Sequence, residues 1–133
     1  MNRKKCLETI QLLARIAAAD DNGYVQCVCC GVIKHYKDGM HGVHYIGKGH
    51  SSYWSLQIEN VHPQCASCNI MGMRYGTAAI EYTRWMQDYY GDDFVADMLS
   101  KKKQPMKHYK KDYEDMYKEW KELIKYHESR VGQ

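Results

Sequence analysis

Cys27-Val28-Cys29-Cys30-Gly31 and Asn60-Val61-His62-Pro63-Gln64-Cys65-Ala66-Ser67-Cys68-Asn69 are the stretches that decide the fold. Each C-x-x-C pair can place two thiolates on one ion, and two such pairs complete the closed tetrahedral shell of structural zinc. Cys29 competes as a ligand, yet only Cys27 with Cys30 has the two-residue gap that matches Cys65 with Cys68. Disulfides are the other use of such residues. The paired spacing favours a metal in a reducing compartment, and Cys6 and Cys29 are then expected to be free, buried thiols. The intervening segment is glycine-rich, with Gly31, Gly39, Gly42, Gly47 and Gly49 between Tyr24 and Ser55. Its apolar content is too small to hold it, whereas structural zinc contributes on the order of 10 kcal/mol.

Outward from this centre the pattern turns helical. Ile10, Leu12, Leu13, Ile16 and Ala17 recur at helix spacing over about 3–19, and Asp20-Asp21-Asn22-Gly23 supplies the stop. The stretch 59–75 begins extended and passes into a short helix. Ile80, Tyr82, Trp85, Met86 and Tyr89 predict a helix over 77–90, ended by Gly91, with a shorter one over about 92–101. After Pro105, Tyr109, Tyr113, Met116, Tyr117, Trp120, Leu123 and Ile124 recur at steps of three and four. That stripe predicts an amphipathic helix packed on the domain, its outer face rich in lysine. At 133 residues, a second core would leave each half near the lower size limit, so one domain is expected. Its parts are an N-terminal helix over 1–22, a zinc-bound centre over 23–76 and a helical part over 77–133, an α+β chain.

Composition excludes several classes. A hydrophobic fraction of 44% with 26% charged residues is that of a soluble globular chain. No window approaches the roughly 18 consecutive apolar residues that cross a bilayer. Arg3, Lys4 and Lys5 precede an apolar stretch, but Glu8, Thr9, Gln11 and Arg15 interrupt it, so an amphipathic helix of a cytoplasmic protein is expected rather than a leader. Residues 1–100 hold 9 basic against 10 acidic side chains and residues 101–133 hold 10 against 6, so the net +3 comes from the tail. A basic tail suits a nucleic-acid partner, and equally a solvated helix face.

Between the cysteine pairs lie His41-Gly42-Val43-His44, His50, and Asn60 with His62, while Asn69 follows Cys68. On a strand, His41 and His44 are three apart and point to opposite faces unless the chain bends, as Gly42 could allow. His35, His50, His108 and His127 read as solvent-facing or structural. The order C-x-x-C, His, Asn five residues before a second C-x-x-C, and Asn after its last Cys resembles the HNH, or ββα-metal, endonucleases, including endonuclease VII. A closer resemblance is to the phage NinG (Rap) recombination-endonuclease family, carried by Cys27 to Gly31, H-G-V-H, the run Asn60 to Cys65 and the Cys68-Asn69 pair.

The resemblance implies a zinc-knuckle ββα-metal (HNH) core with flanking N- and C-terminal helices. It also implies a DNA endonuclease acting on branched or single-strand-containing DNA in a bacterial host cell, alongside phage recombination proteins. It makes His44 the general base, which its ordinary pKa near 6.5 suits, and Asn60 the residue that orients the histidine or its loop. Cys27, Cys30, Cys65 and Cys68 hold zinc. Asn69 and His41 hold a catalytic divalent cation; Val43 stands where many HNH enzymes carry Asp or His, and His62 is the alternative to His41. Without a carboxylate, such a pair favours Mn2+ or Ni2+ over Mg2+. DNA phosphates would meet Lys34, Lys37, Lys48, Lys101, Lys102, Lys103, Lys107, Lys110 and Lys111. The competing readings are a non-catalytic zinc-knuckle nucleic-acid-binding module and a sequence-specific HNH nicking endonuclease.

Overall fold

A computed structural model describes residues 1–132. The chain is mixed α+β: five helices surround two antiparallel two-stranded sheets. Helix α1 (Arg3–Ala18) begins at Asn2, whose side chain accepts from the Lys5 amide at 2.9 Å. At its other end the Arg130 guanidinium bonds the carbonyls of Ile16 and Ala19 at 3.1 and 2.8 Å. A long-range cation thus satisfies the orphan carbonyls of a helix that has no capping glycine.

The turn at Gly23, with φ near +89°, feeds strand β1 (Tyr24–Gln26), which pairs with β2 (Ile33–His35). Strand β3 (Met40–His44) pairs with β4 (Val61–Cys65) in one unbroken register, Met40 opposite Cys65 and His44 opposite Val61. After Cys65 the chain turns through a π-helical stretch, Cys68–Gly72, and a single helical turn, α2 (Met73–Tyr75). Helices α3 (Ala78–Tyr90), α4 (Asp92–Ser100) and α5 (Lys110–Arg130) follow.

Every residue of β4 is buried, because the β3–β4 hairpin is the middle of three layers. On one side Val61 and Cys65 pack with Ile10, Leu13 and Ile16 of α1, which α5 covers with Trp120 and Ile124. On the other, Tyr82 and Met86 of α3 and Val95 and Met98 of α4 form a second cluster, with Val43 against it. The periodic stripes are narrower than their sequence spacing implies. Ile80 and Tyr89 of α3 are 65% and 67% exposed, since Ala78, Tyr82 and Met86 alone take the inner face. Tyr109 and Leu123 likewise lie outside the buried seam of α5.

The expected bend at Gly42 is absent. Gly42 pairs with Pro63 in the regular ladder, and its missing Cβ serves another end: a Cβ there would lie 2.6 Å from the Gln11 Cα. The glycine lets the α1 backbone rest directly on the strand. With no bend, His41 and His44 keep to opposite faces of β3.

Candidate metal centre and histidine site

The Sγ atoms of Cys27, Cys30, Cys65 and Cys68 all lie within 4.8 Å of one another, Cys30 and Cys65 at 3.7 Å. Zinc–sulfur bonds of about 2.3 Å set the edge of a tetrahedron at about 3.8 Å, whereas a disulfide needs about 2.05 Å. The four thiols therefore suit one structural ion such as zinc. Two loops deliver them, the β1–β2 connection and the end of β4. Cys29 stands outside the set: its thiol donates to the Ala78 carbonyl at 3.3 Å and accepts from Gln64 Nε2 at 3.0 Å. It is half-buried rather than buried, unlike Cys6, which is fully enclosed.

His44, at the end of β3, is 6% exposed. Its Nε2 lies 2.8 Å from the Ser55 carbonyl. A carbonyl only accepts, so Nε2 carries the proton and Nδ1 is the basic nitrogen. Among the described residues none hydrogen-bonds Nδ1. Burial lowers the pKa of His44, the Ser55 bond works the other way, and the charges of Lys48 and Arg3 lower it further. The ring is held neutral, in one tautomer, beside two cations.

Asn60 does not touch the His44 ring. Fully buried, it accepts from the Ile46 amide at 2.7 Å and donates to the carbonyls of Ile46 and Trp54 at 2.9 and 3.0 Å. It ties the 46–60 loop shut, and that loop presents the Ser55 carbonyl to His44. Arg3 binds the same loop, its Nη2 2.8 Å from Ser55 Oγ. The segment after α4 is strapped over it too, through Trp54 Nε1 to the Lys101 carbonyl at 3.1 Å and Ser51 Oγ to the Gln104 carbonyl at 2.6 Å. Lys101, Lys102, Lys103 and Lys107 thus flank the loop that holds His44, and Lys110 and Lys111 open α5 just beyond. Lys34 and Lys37 sit instead on the β1–β2 hairpin and its turn, where Lys37 Nζ lies over the Tyr36 ring.

Beside β3, Asn69 and His41 meet, Nδ2 to Nδ1 at 2.7 Å. They line a cavity of about 340 Å³ with Glu8, Gln11, Arg15 and Gly42. The family resemblance named these two together and the structure places them in contact, but nothing local announced Glu8 or Arg3, which arrive from α1. His62 is occupied elsewhere. Tyr82 gives its only proton to the Val43 carbonyl at 2.7 Å, so His62 Nδ1 donates to Tyr82 at 3.1 Å and Nε2 accepts from Tyr90 at 2.8 Å. Burial lowers its pKa to about 4. With both nitrogens engaged among aromatic rings, His62 is a structural histidine. A bigger cavity of about 650 Å³, walled by Leu13, Val25, Trp85, Tyr89 and Tyr90, is mostly apolar and takes in no part of the His41–Asn69 pair.

These features define an α+β protein with a four-cysteine cluster fit for one metal ion, and beside it a strand histidine paired with the asparagine that follows the last cysteine. The family model described as Bacteriophage Lambda NinG protein matches residues 4–129, and the chain belongs to that family. No curated protein and no solved structure matches it. No helix is long and apolar enough to cross a membrane.

Proposed function

We propose that this NinG-family protein is a metal-dependent DNA endonuclease of the HNH, or ββα-metal, type, with His44 as the general base. The observation that carries the reading is the state of His44. A purely structural histidine has no need of one nitrogen pinned to a carbonyl, the other left basic, and a rim of cations. Hydrolysis of a phosphodiester takes a proton from water as its oxygen bonds phosphorus, and the departing 3′ oxygen gains a proton from solvent as its bond breaks. His44 Nδ1 takes the proton of the attacking water, and the Ser55 carbonyl steadies the resulting imidazolium through Nε2–H. Asn60 acts by positioning the loop. Arg3, Lys48 and Lys101 to Lys107 hold phosphates through sequence-independent, salt-sensitive contacts.

His41 and Asn69 offer an imidazole nitrogen and an amide oxygen, a donor set that suits a divalent cation. An ion held there would supply neutralisation of phosphate charge. His41 and His44 lie three residues apart along β3, about 10 Å, and on opposite faces. That separation exceeds the reach of one phosphate, so in this reading the pair grips the DNA backbone beside the bond that His44 serves. Branched recombination DNA in a phage-infected cell is the substrate that the family resemblance implies.

The test incubates the zinc-loaded chain with branched, nicked and linear duplex DNA and each divalent cation in turn, beside His44→Ala. Loss of a general base lowers the rate about 10²–10⁴-fold. A wild-type protein that binds DNA without cutting it, or an alanine variant that cuts equally well, hands the protein to the zinc-knuckle binding class.

A further inference from the structure

The cavity that His41 and Asn69 line has an acidic residue, Glu8, among its lining residues, and the reading above leaves it unused. We infer that Glu8 of α1 is the anionic ligand of the divalent cation held by His41 and Asn69. The inference rests on the reading of that pair as a cation site and adds a third, charged ligand from a different element.

Three observations lead to it. Glu8, Gln11 and Arg15 lie on one side of α1 at helical spacing and line the same cavity as His41 and Asn69. They reach it because Gly42 lets the α1 backbone settle on the strand at Gln11. The Glu8 carboxylate is also available. Its ion-pair partner is Lys5 Nζ at 4.0 Å, and both side chains are about half exposed, 55% and 54%, a geometry that contributes little.

The chemistry of the cavity asks for such a group. An imidazole and a carboxamide are both neutral, whereas Mg2+ and Mn2+ prefer anionic oxygen. Arg15 stands in the same wall, its Nη1 3.3 Å from the Met40 carbonyl. Without Glu8 the cavity would be net positive and would repel a dication. The His41–Asn69 contact is itself informative, for Asn69 Nδ2 and His41 Nδ1 are 2.7 Å apart. The amide donates there to the unprotonated ring nitrogen, so a cation takes Nδ1 and Oδ1 by displacing that hydrogen bond and turning the amide.

The experiment uses Mn2+ alone, in the absence of DNA, on the full zinc-loaded chain. Electron paramagnetic resonance of unbound Mn2+ gives the affinity of the wild type, Glu8→Gln, Lys5→Ala and His41→Ala, with zinc content and thermal midpoint measured on each. Glu8→Gln is expected to weaken Mn2+ binding about ten-fold or more, the effect of one lost charge close to a dication. Lys5→Ala, which frees the carboxylate, is expected to tighten it by roughly two-fold. Unchanged binding in Glu8→Gln with binding lost in His41→Ala overturns the role of Glu8 and leaves the cation pair standing. A wild type that binds no Mn2+, or a His41→Ala variant that binds as the wild type does, overturns both.

Discussion

Replacing Asn60 by aspartate changes one group and no volume, and it tests how the His44 loop is held. The native amide is fully buried and makes three hydrogen bonds to backbone, two as donor and one as acceptor. Asn60→Asp keeps the acceptor for the Ile46 amide but turns an ionised oxygen toward the carbonyls of Ile46 and Trp54. Two buried carbonyls lose their donor, at about 1–3 kcal/mol each, and a charge is buried among acceptors, for which an uncompensated case costs about 3–5 kcal/mol. These penalties overlap, so a loss of about 3–5 kcal/mol at pH 7 is expected, a large share of a small domain's stability. The new carboxyl has its folded pKa raised above the unfolded value near 3.9, because both burial and the facing carbonyls disfavour its charge. Below about pH 4 it is protonated in both states and can donate to one carbonyl. As pH rises from there through the folded pKa, the folded state is progressively penalised. The gap between variant and wild type in urea unfolding therefore widens from pH 4 upward and then levels off. A variant as stable as wild type at pH 7, or a gap that narrows as pH rises, would refute the account of the loop.

Other expectations concern neighbouring parts. His62 has its pKa lowered by burial to about 4 from an ordinary value near 6.5, so its contribution is whole above pH 6.5 and lost as pH falls toward 4. That is worth on the order of 3 kcal/mol, and His62→Gln should flatten the slope of unfolding free energy against pH over that window relative to wild type; equal slopes would remove His62 as the cause. Gly42→Ala pushes a methyl into the Gln11 backbone and should destabilise by about 1–3 kcal/mol or more in the same assay, so an unchanged midpoint would mean that α1 does not lie on the strand. Cys65→Ser removes one of four thiols from the metal centre; loss of bound zinc and of the cooperative thermal transition is expected, because the metal contributes on the order of 10 kcal/mol. Retention of stoichiometric zinc in that variant would contradict the assignment of ligands.

What could be read in advance was what depends on neighbours in sequence. The two C-x-x-C pairs name their ligands through a spacing imposed by the geometry of one ion. The stripes around Tyr82 and Trp120 name their helices through a period of three to four residues. Asn69 was named through the family resemblance, as the residue after the last cysteine. What stayed hidden depends on partners that spacing does not encode. Asn60 closes a loop by reaching back 14 positions to Ile46, and His62 is claimed by tyrosines 20 and 28 positions ahead. Arg3 comes to the His44 loop and Glu8 to the His41–Asn69 cavity only because α1 folds over β3.

Gly42 shows how one such contact decides the rest. A glycine between two histidines permits a bend that would gather both rings on one side of the strand. The same missing Cβ permits close approach of a helix, and the two uses compete, because a kinked strand offers α1 no flat surface. Burial of Ile10, Leu13 and Ile16 against Val61 and Cys65 favours the seated helix, with each fully buried aliphatic side chain contributing about 1.5–3 kcal/mol. The strand therefore stays regular, and the histidines part to opposite faces. Helix α1, seated on the Gly42 side, brings Arg3 to the 46–60 loop beside His44 and brings Glu8 and Arg15 to the cavity that His41 and Asn69 line. In this fold the N-terminal helix both covers the core and supplies charged groups to the surroundings of both histidines.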